Sequence, residues 1–251
     1  MTVQTFDRRW VVFGAVLVQL CLGAIYAWSV FTTPLKESGW SVAQTQYVFT
    51  AGLVSFALVM IFAGRVMPRI GPRKLVISGG VVLGLGYLVA GLFGGTGFWP
   101  VFLGVGVIGG SGIGLAYVVP IAVGMRWFPD KKGLITGLAV AGFGFGAMLW
   151  VKLAGAWGHL IQDLGLDTTF MIYGLLFFTA VVIGGSWMVF PPENWRPEGY
   201  VPPKGEGKDG SDGAFTSGEM LRTIQFYLIM LTFAVSASAG LMTIGLMKLF
   251  P

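Results

Sequence analysis

WPVFLGVGVIGGSGIGLAYVVPIAVGMRWFPDKKGLITGLAVAGFGFGAMLWVKLAG, residues 99–155, holds two long apolar runs around one short polar break. The break, from Arg126 to Gly133, carries Arg126, Asp130, Lys131 and Lys132. A bilayer core of roughly 30 Å needs about 20 apolar residues in helical form. In lipid the backbone must satisfy its own hydrogen bonds, and a helix does so. The stretch therefore predicts two membrane helices joined by a short basic loop.

The same pattern runs outward in both directions. Apolar spans fall near 10–33, 44–63, 75–94, 99–122, 134–158, 169–190 and 224–250. Hydrophobic residues make up 55% of the chain and charged residues 11%, which excludes a soluble globular domain. The fold class expected is an all-α membrane protein.

Basic residues set the orientation. Arg8 and Arg9 precede span 1. Arg65, Arg69, Arg73 and Lys74 follow span 2, and Arg126, Lys131 and Lys132 follow span 4. The opposite loops hold Lys36 against Glu37, Asp163 and Asp167. Short basic loops stay cytoplasmic, so the N-terminus is expected inside a plasma (inner) membrane that the chain crosses several times. The formal charge of +5 reports this topology and contact with an anionic lipid bilayer, not nucleic acid. Span 1 is too long for a signal-peptide core and no small-x-small cleavage site follows it. Cys21 is the only cysteine, so no intramolecular disulfide can form.

Glycine accounts for 40 of 251 residues and crowds spans 4 and 5. Small residues let membrane helices approach closely, so tight packing is the plain reading. Gly104-x-Gly106-x-x-Gly109 has dinucleotide spacing, but it follows no strand and opens no soluble helix.

Residues 191–223 are rich in Pro, Gly and charge and read as a cytoplasmic linker. Thr216 and Glu219 have capping-box spacing for a short surface helix within it. The expected organisation is a six-helix N-terminal bundle over 1–190, the linker over 191–223, and span 7 over 224–251. Span 7 would open a truncated C-terminal bundle of the same polypeptide, the chain being a piece of a transporter of about twelve spans. Gly23-Ala-Ile-Tyr26 in span 1 echoes Gly114-Leu-Ala-Tyr117 in span 4, as expected of a three-span repeat.

Three segments carry a resemblance to a known family. Arg126-Trp127-Phe128-Pro129-Asp130-Lys131-Lys132-Gly133-Leu134, running into Gly137–Gly144, resembles the span 4–5 signature of major facilitator superfamily transporters. The similarity is to the branch of oxalate/formate antiporters and monocarboxylate transporters. Ser217–Thr223 with Gln225-Phe226 is similar to the segment opening span 7 in that branch, and Gly23–Ser29 to its first span. The superfamily's loop between spans 2 and 3 reads G-x-x-x-D-R-x-G-R-[RK]. Here Gly64, Arg69, Gly71 and Arg73 fit, but Pro68 stands where the acid belongs. The resemblance implies a latch by that acid; Asp130 is the candidate substitute.

The resemblance further implies alternating access of two bundles about a site for a small carboxylate. Tyr26 and Tyr117 match aromatic positions of the cavity, and both hydroxyls can donate to a carboxylate. Tyr26 could instead belong to an interfacial belt with Trp28. The cytoplasmic gating loops would be Gly64, Arg69, Gly71 and Arg73 on one side and Arg126, Asp130 and Lys131 on the other.

Lys152 stands out without any resemblance. It lies between Val151 and Leu153 inside span 5, and intramembrane charges are functional candidates. It shares a stripe with Gly137, Ala141, Gly144, Met148 and Gly155, which suggests that it faces other helices and binds an anion. The competing reading is snorkelling to the outer surface. His159 is the only histidine, which excludes a multi-histidine metal site, and no cofactor is expected. No Asp or Glu lies in an expected span, so a carboxylate proton carrier is absent from this half.

The function expected is secondary transport of an anion such as oxalate, formate, lactate or pyruvate. The alternatives are a superfamily transporter of a different small solute or a non-transporting seven-span protein. A membrane enzyme would need paired acids, a nucleophile–base set or metal ligands, and none is visible.

Overall fold

The computed structural model describes residues 7–94, 96–192, 195–197, 200 and 217–246. Six helices are long and apolar enough to cross a membrane: span 1 (Arg9–Glu37), span 2 (Val42–Ile70), span 3 (Pro72–Leu92), span 4 (Phe98–Trp127), span 5 (Pro129–Ala154) and span 6 (Leu160–Ser186). The chain divides into two units, Met1–Glu198 and Gly199–Pro251. The second unit holds a short helix, Ser217–Met220, and an apolar helix, Ile224–Leu246. Thr216 and most of the linker lie outside the described residues.

Local chemistry sets the span ends. Asp7 caps span 1, its Oδ1 accepting from the Arg9 N–H at 2.9 Å. Ser41 and Gln44 form a reciprocal capping box that starts span 2. Span 2 then continues seven residues past the expected end at 63, to Ile70. Gly64, Arg65 and Arg69 are therefore on a helix, not in a loop. Pro68 does not stop it; the break comes at Gly71, whose φ of 87° favours glycine. Pro72, with its φ preset, opens span 3 directly. The loop expected at 64–74 is in fact this one-residue joint.

Span 6 starts earlier than 169, at Leu160, because a short turn of helix precedes a kink at Gly165 (φ 78°). The Thr169 hydroxyl donates to the Gly165 carbonyl at 2.7 Å and covers part of the break. Spans 1 and 4 both change winding. Span 1 tightens to 3-10 helix over Gly23–Trp28, and span 4 widens to π-helix over Phe102–Gly109.

The packing interleaves the two three-span sets. Span 2 packs chiefly on span 4, and span 5 chiefly on span 1; spans 3 and 6 pair with each other, and spans 1 and 4 meet at the centre. Lipid tails are as apolar as leucine, so close backbone approach rather than hydrophobic drive holds such pairs together. Glycines mark the crossings. A Cβ on Gly84 would sit 2.8 Å from the Gly174 carbonyl, and one on Gly174 2.8 Å from the Gly84 carbonyl. Gly14 and Gly184 oppose each other between spans 1 and 6 in the same way.

An aromatic cluster fills the space between spans 1, 3, 5 and 6. Phe31 lies 4.8 Å from Phe170, Tyr87 4.9 Å from Phe177 and Trp150 4.7 Å from Phe177. The Tyr173 hydroxyl donates to the Trp150 carbonyl. Trp150 Nε1 donates to the Leu20 carbonyl at 2.7 Å, just before span 1 tightens. Neighbouring side chains thus satisfy backbone groups around irregular winding, as a membrane interior demands.

Candidate functional site

The GAIY and GLAY segments do the same thing in space. Gly23 lies against the backbone of Phe143 in span 5, where a Cβ would collide with the Phe143 carbonyl. Three residues on, Tyr26 packs edge-on against the same Phe143 ring at 5.5 Å. Gly114 lies against the carbonyl of Phe56 in span 2, and Tyr117 packs edge-on against the Phe56 ring at 5.1 Å. In each case the glycine admits the partner backbone and the tyrosine covers the partner's phenylalanine.

The two crossings merge at the centre of the unit. Phe143 lies 5.0 Å from Tyr117 and 6.4 Å from Phe56, and Phe49 extends the wall beside Tyr26 at 6.4 Å. Phe143 is buried, while Tyr26 and Tyr117 are half-buried. Among the described residues neither tyrosine hydroxyl has a hydrogen-bond partner. The structure thus brings Tyr26 and Tyr117 together as one aromatic wall with two unengaged donors. Trp28 is buried, its Nε1 donating to the Thr45 carbonyl at 2.9 Å, so it forms no exposed belt with Tyr26.

Lys152 is elsewhere. It lies roughly two and a half turns beyond Phe143, on the opposite side of span 5 at 3.6 residues per turn. Its stripe does not pack within the first unit: Gly137, Ala141, Gly144 and Met148 are exposed, and a Cβ on Gly137 or Gly144 would meet nothing within 4 Å. The expectation that Lys152 faces other helices is not met by spans 1–6. Lys152 is exposed, and no salt bridge engages it among the described residues.

The basic-loop residues form a different cluster. Arg126 is on the last turn of span 4, not in a loop, with its guanidinium 3.9 Å over the Phe190 ring. Trp127 Nε1 donates to the Val189 carbonyl at 2.6 Å, and its ring meets Trp195 at 4.8 Å. Arg8 lies 4.6 Å over the Phe128 ring and 3.6 Å from Asp130. Asp130 thus pairs with the start of span 1, not with the cations of the span 2–3 joint, where a substitute for the missing acid would act. Gly64, Arg69 and Arg73 are exposed, Gly71 forms the joint and Lys131 is exposed in the turn Pro129–Lys131. Trp195, beyond the expected boundary at 190, therefore packs on the end of span 4 within the first unit, Met1–Glu198.

Sequence reasoning missed Gln19. It is fully buried in span 1; its Nε2 donates to the Tyr117 carbonyl at 3.4 Å, and its Oε1 has no partner among the described residues. The signal was an amide in the middle of an apolar run. His159 is exposed, its Nδ1 3.0 Å from Gln162 Oε1.

Comparison with known proteins places this architecture. The profile of the Major Facilitator Superfamily matches residues 6–251. A protein of Escherichia coli (strain K12) described as "Uncharacterized MFS-type transporter YhjX" is 29% identical over 99% of this chain and 59% of its own length. The oxalate:formate antiporter of Oxalobacter formigenes is 27% identical over 95% of this chain and 54% of its own. Apicoplast pyruvate carrier 1 of Toxoplasma gondii is 30% identical over 59% of this chain and 35% of its own. The chain spans about half the length of the first two relatives. With six apolar spans and a match over nearly its whole length, this integral membrane chain belongs to the Major Facilitator Superfamily.

Proposed function

We propose that the chain forms one wall of a secondary transporter that moves small organic carboxylate anions by alternating access. A second bundle of the same polypeptide would form the other wall. The observation that carries the reading is the Tyr26–Phe143–Tyr117 wall: two hydroxyl donors without acceptors among the described residues, held on an apolar surface at the meeting of spans 1 and 4. A planar carboxylate fits such a surface, with its oxygens accepting from the hydroxyls. Relatives named as an oxalate:formate antiporter, a pyruvate carrier and monocarboxylate transporters support this substrate class. Lys152, exposed on span 5, would add a countercharge.

The N-terminus, the span 2–3 joint, the turn after span 4 and the linker would be cytoplasmic. Arg8, Asp130, Trp127 and Trp195 meet at one end of the unit, while Trp40 and Thr96 meet through an indole hydrogen bond of 2.6 Å between the loops after spans 1 and 3. Cysteine labelling from outside intact cells tests the orientation, and buried Cys21 gives little background. Asp163→Cys should label and Lys208→Cys should not; the reverse overturns it.

Substrate binding to the full-length transporter in proteoliposomes tests the function. Saturable uptake of oxalate, formate, lactate or pyruvate is expected, and none for this chain alone. A charge-assisted hydrogen bond to a carboxylate contributes on the order of 1.5–3 kcal/mol. Lys152→Ala should therefore raise the dissociation constant roughly 10–150-fold, and Lys152→Arg much less. Unchanged affinity in folded Lys152→Ala would assign Lys152 to the lipid interface instead.

A further inference from the structure

Gln19 is poorly explained as a packing residue. Its side chain is fully buried where spans 1, 4 and 5 meet. A Cβ on Gly142 would sit 3.4 Å from the Gln19 Cβ, so span 5 closes over it. The bond from Nε2 to the Tyr117 carbonyl fixes which end of the amide is which, because the reversed amide would set two acceptors against each other. That leaves Oε1 as an acceptor, and among the described residues no protein donor reaches it. An unfilled buried acceptor is costly, and a methionine or leucine would occupy this volume without that cost. Polar groups inside a membrane bundle are functional candidates for this reason.

Its position narrows the chemistry. Gln19 is attached to the backbone of Tyr117, the residue whose ring forms one side of the aromatic wall. An acceptor-only oxygen repels a carboxylate and needs an O–H or N–H donor. Gln19 Oε1 is therefore suited not to the anionic end of a substrate but to a hydroxyl.

We propose that Gln19 Oε1 accepts a hydrogen bond from a small hydroxyl donor, and so acts as a specificity residue beneath the Tyr26–Tyr117 wall. The donor is either a buried water or the α-hydroxyl of a hydroxycarboxylate. The second source rests on the carboxylate reading above; the first does not.

Gln19→Met, which keeps length without the amide, decides between them in the full-length transporter; Gln19→Leu serves if Met fails to fold. Met also gives up the Nε2 bond to the Tyr117 carbonyl, so melting temperature alone does not separate the two donors. Two readouts are needed: the density beside Oε1 in an experimental structure of the wild type without substrate, and the affinities for lactate and pyruvate, which differ by a hydroxyl. A resident water predicts an ordered oxygen within about 3 Å of Oε1 and affinities for the two acids that Gln19→Met changes equally. A substrate hydroxyl predicts no ordered oxygen there without substrate, a wild-type preference for lactate of roughly 3–10-fold, and loss of that preference in the variant. No ordered oxygen with both affinities unchanged in the variant overturns the proposal. Wild-type protein that binds neither acid but holds the ordered oxygen overturns the carboxylate reading and leaves the water site standing. If it binds neither acid and holds no such oxygen, both fall.

Discussion

The crossing of span 1 on span 5 and the crossing of span 4 on span 2 are two versions of one joint. Each uses a glycine against a phenylalanine carbonyl and a tyrosine on that phenylalanine's ring. They differ in what surrounds the joint. Span 1 is 3-10 wound through Gly23–Trp28 and is tied to span 5 by the Trp150 indole. Span 4 is π-wound before its glycine, over Phe102–Gly109, and rests on span 2 through further glycine contacts: a Cβ on Gly106 would approach Val48, and one on Gly110 would run into Gly52. The shared part holds each of spans 1 and 4 against the second helix of the other three-span set. The differing part follows from each joint's own neighbours.

Breaking the shared part should have the largest effect. A Cβ at Gly23 or Gly114 meets backbone, which cannot swing aside. Gly23→Val and Gly114→Val should each destabilise the bundle by about 3 kcal/mol or more, the upper end of overpacking costs. Gly144→Val, on the open stripe of span 5, should cost this chain far less. Thermal unfolding in detergent checks all three. Equal losses at Gly23 and Gly144 would refute the crossing as the site of close approach.

The unshared tether comes next. Trp150→Phe removes the indole N–H and leaves the Leu20 carbonyl without it, at a cost of about 1–2 kcal/mol. No tryptophan holds the equivalent place between spans 2 and 4 among the described residues. The variant should therefore loosen span 5 on span 1 and leave span 2 on span 4 unchanged. Hydrogen exchange on the two crossings reads this directly; uniform loss of protection would mean that the joints are not separable.

A smaller effect is expected at the basic end. Arg8 and Asp130 are each about a quarter to a third exposed, and such pairs contribute about 0–1 kcal/mol. Asp130→Asn should lower stability within that range, more at low salt than at high. The swap of Arg8→Asp with Asp130→Arg should recover part of it. If the swap recovers nothing while Asp130→Asn costs several times as much, the carboxylate acts on a partner other than Arg8.

The first six spans and the helical class were legible because apolar length is a sequence-local quantity, and the superfamily was legible through the resemblance carried by Arg126–Leu134 and Gly137–Gly144. The ends of the spans were less so. Arg65 and Arg69 read as loop because they are charged, yet the last two turns of span 2 leave both exposed and tolerate them, and only Gly71 with Pro72 breaks the helix. Tyr26 and Tyr117 were named because they match cavity aromatics of the family that the chain resembles, and they also close the GAIY and GLAY echo. Phe143 and Phe56 could not be named, because each is one aromatic among 20 phenylalanines and its role depends on which helices exchange. Lys152 shows the limit of periodicity. Its stripe of small residues correctly marked one face of span 5, but a stripe does not say what, if anything, covers it.

The smallest effect on stability separates the wall from the core. Tyr173 donates to the Trp150 carbonyl, so Tyr173→Phe strands a buried acceptor and should cost about 1 kcal/mol. Tyr26 and Tyr117 have no acceptor to strand among the described residues. Removing either hydroxyl keeps the ring contacts on Phe143 and Phe56, and the change should stay within about 0.5 kcal/mol, as for substitutions that break no named interaction. Tyr26→Phe and Tyr117→Phe should thus melt with wild type while Tyr173→Phe melts lower. A hydroxyl that matters to substrate but not to stability is what a binding surface requires. A loss of stability in Tyr26→Phe or Tyr117→Phe as large as that in Tyr173→Phe would make these tyrosines structural and remove the donors on which the wall's chemistry depends.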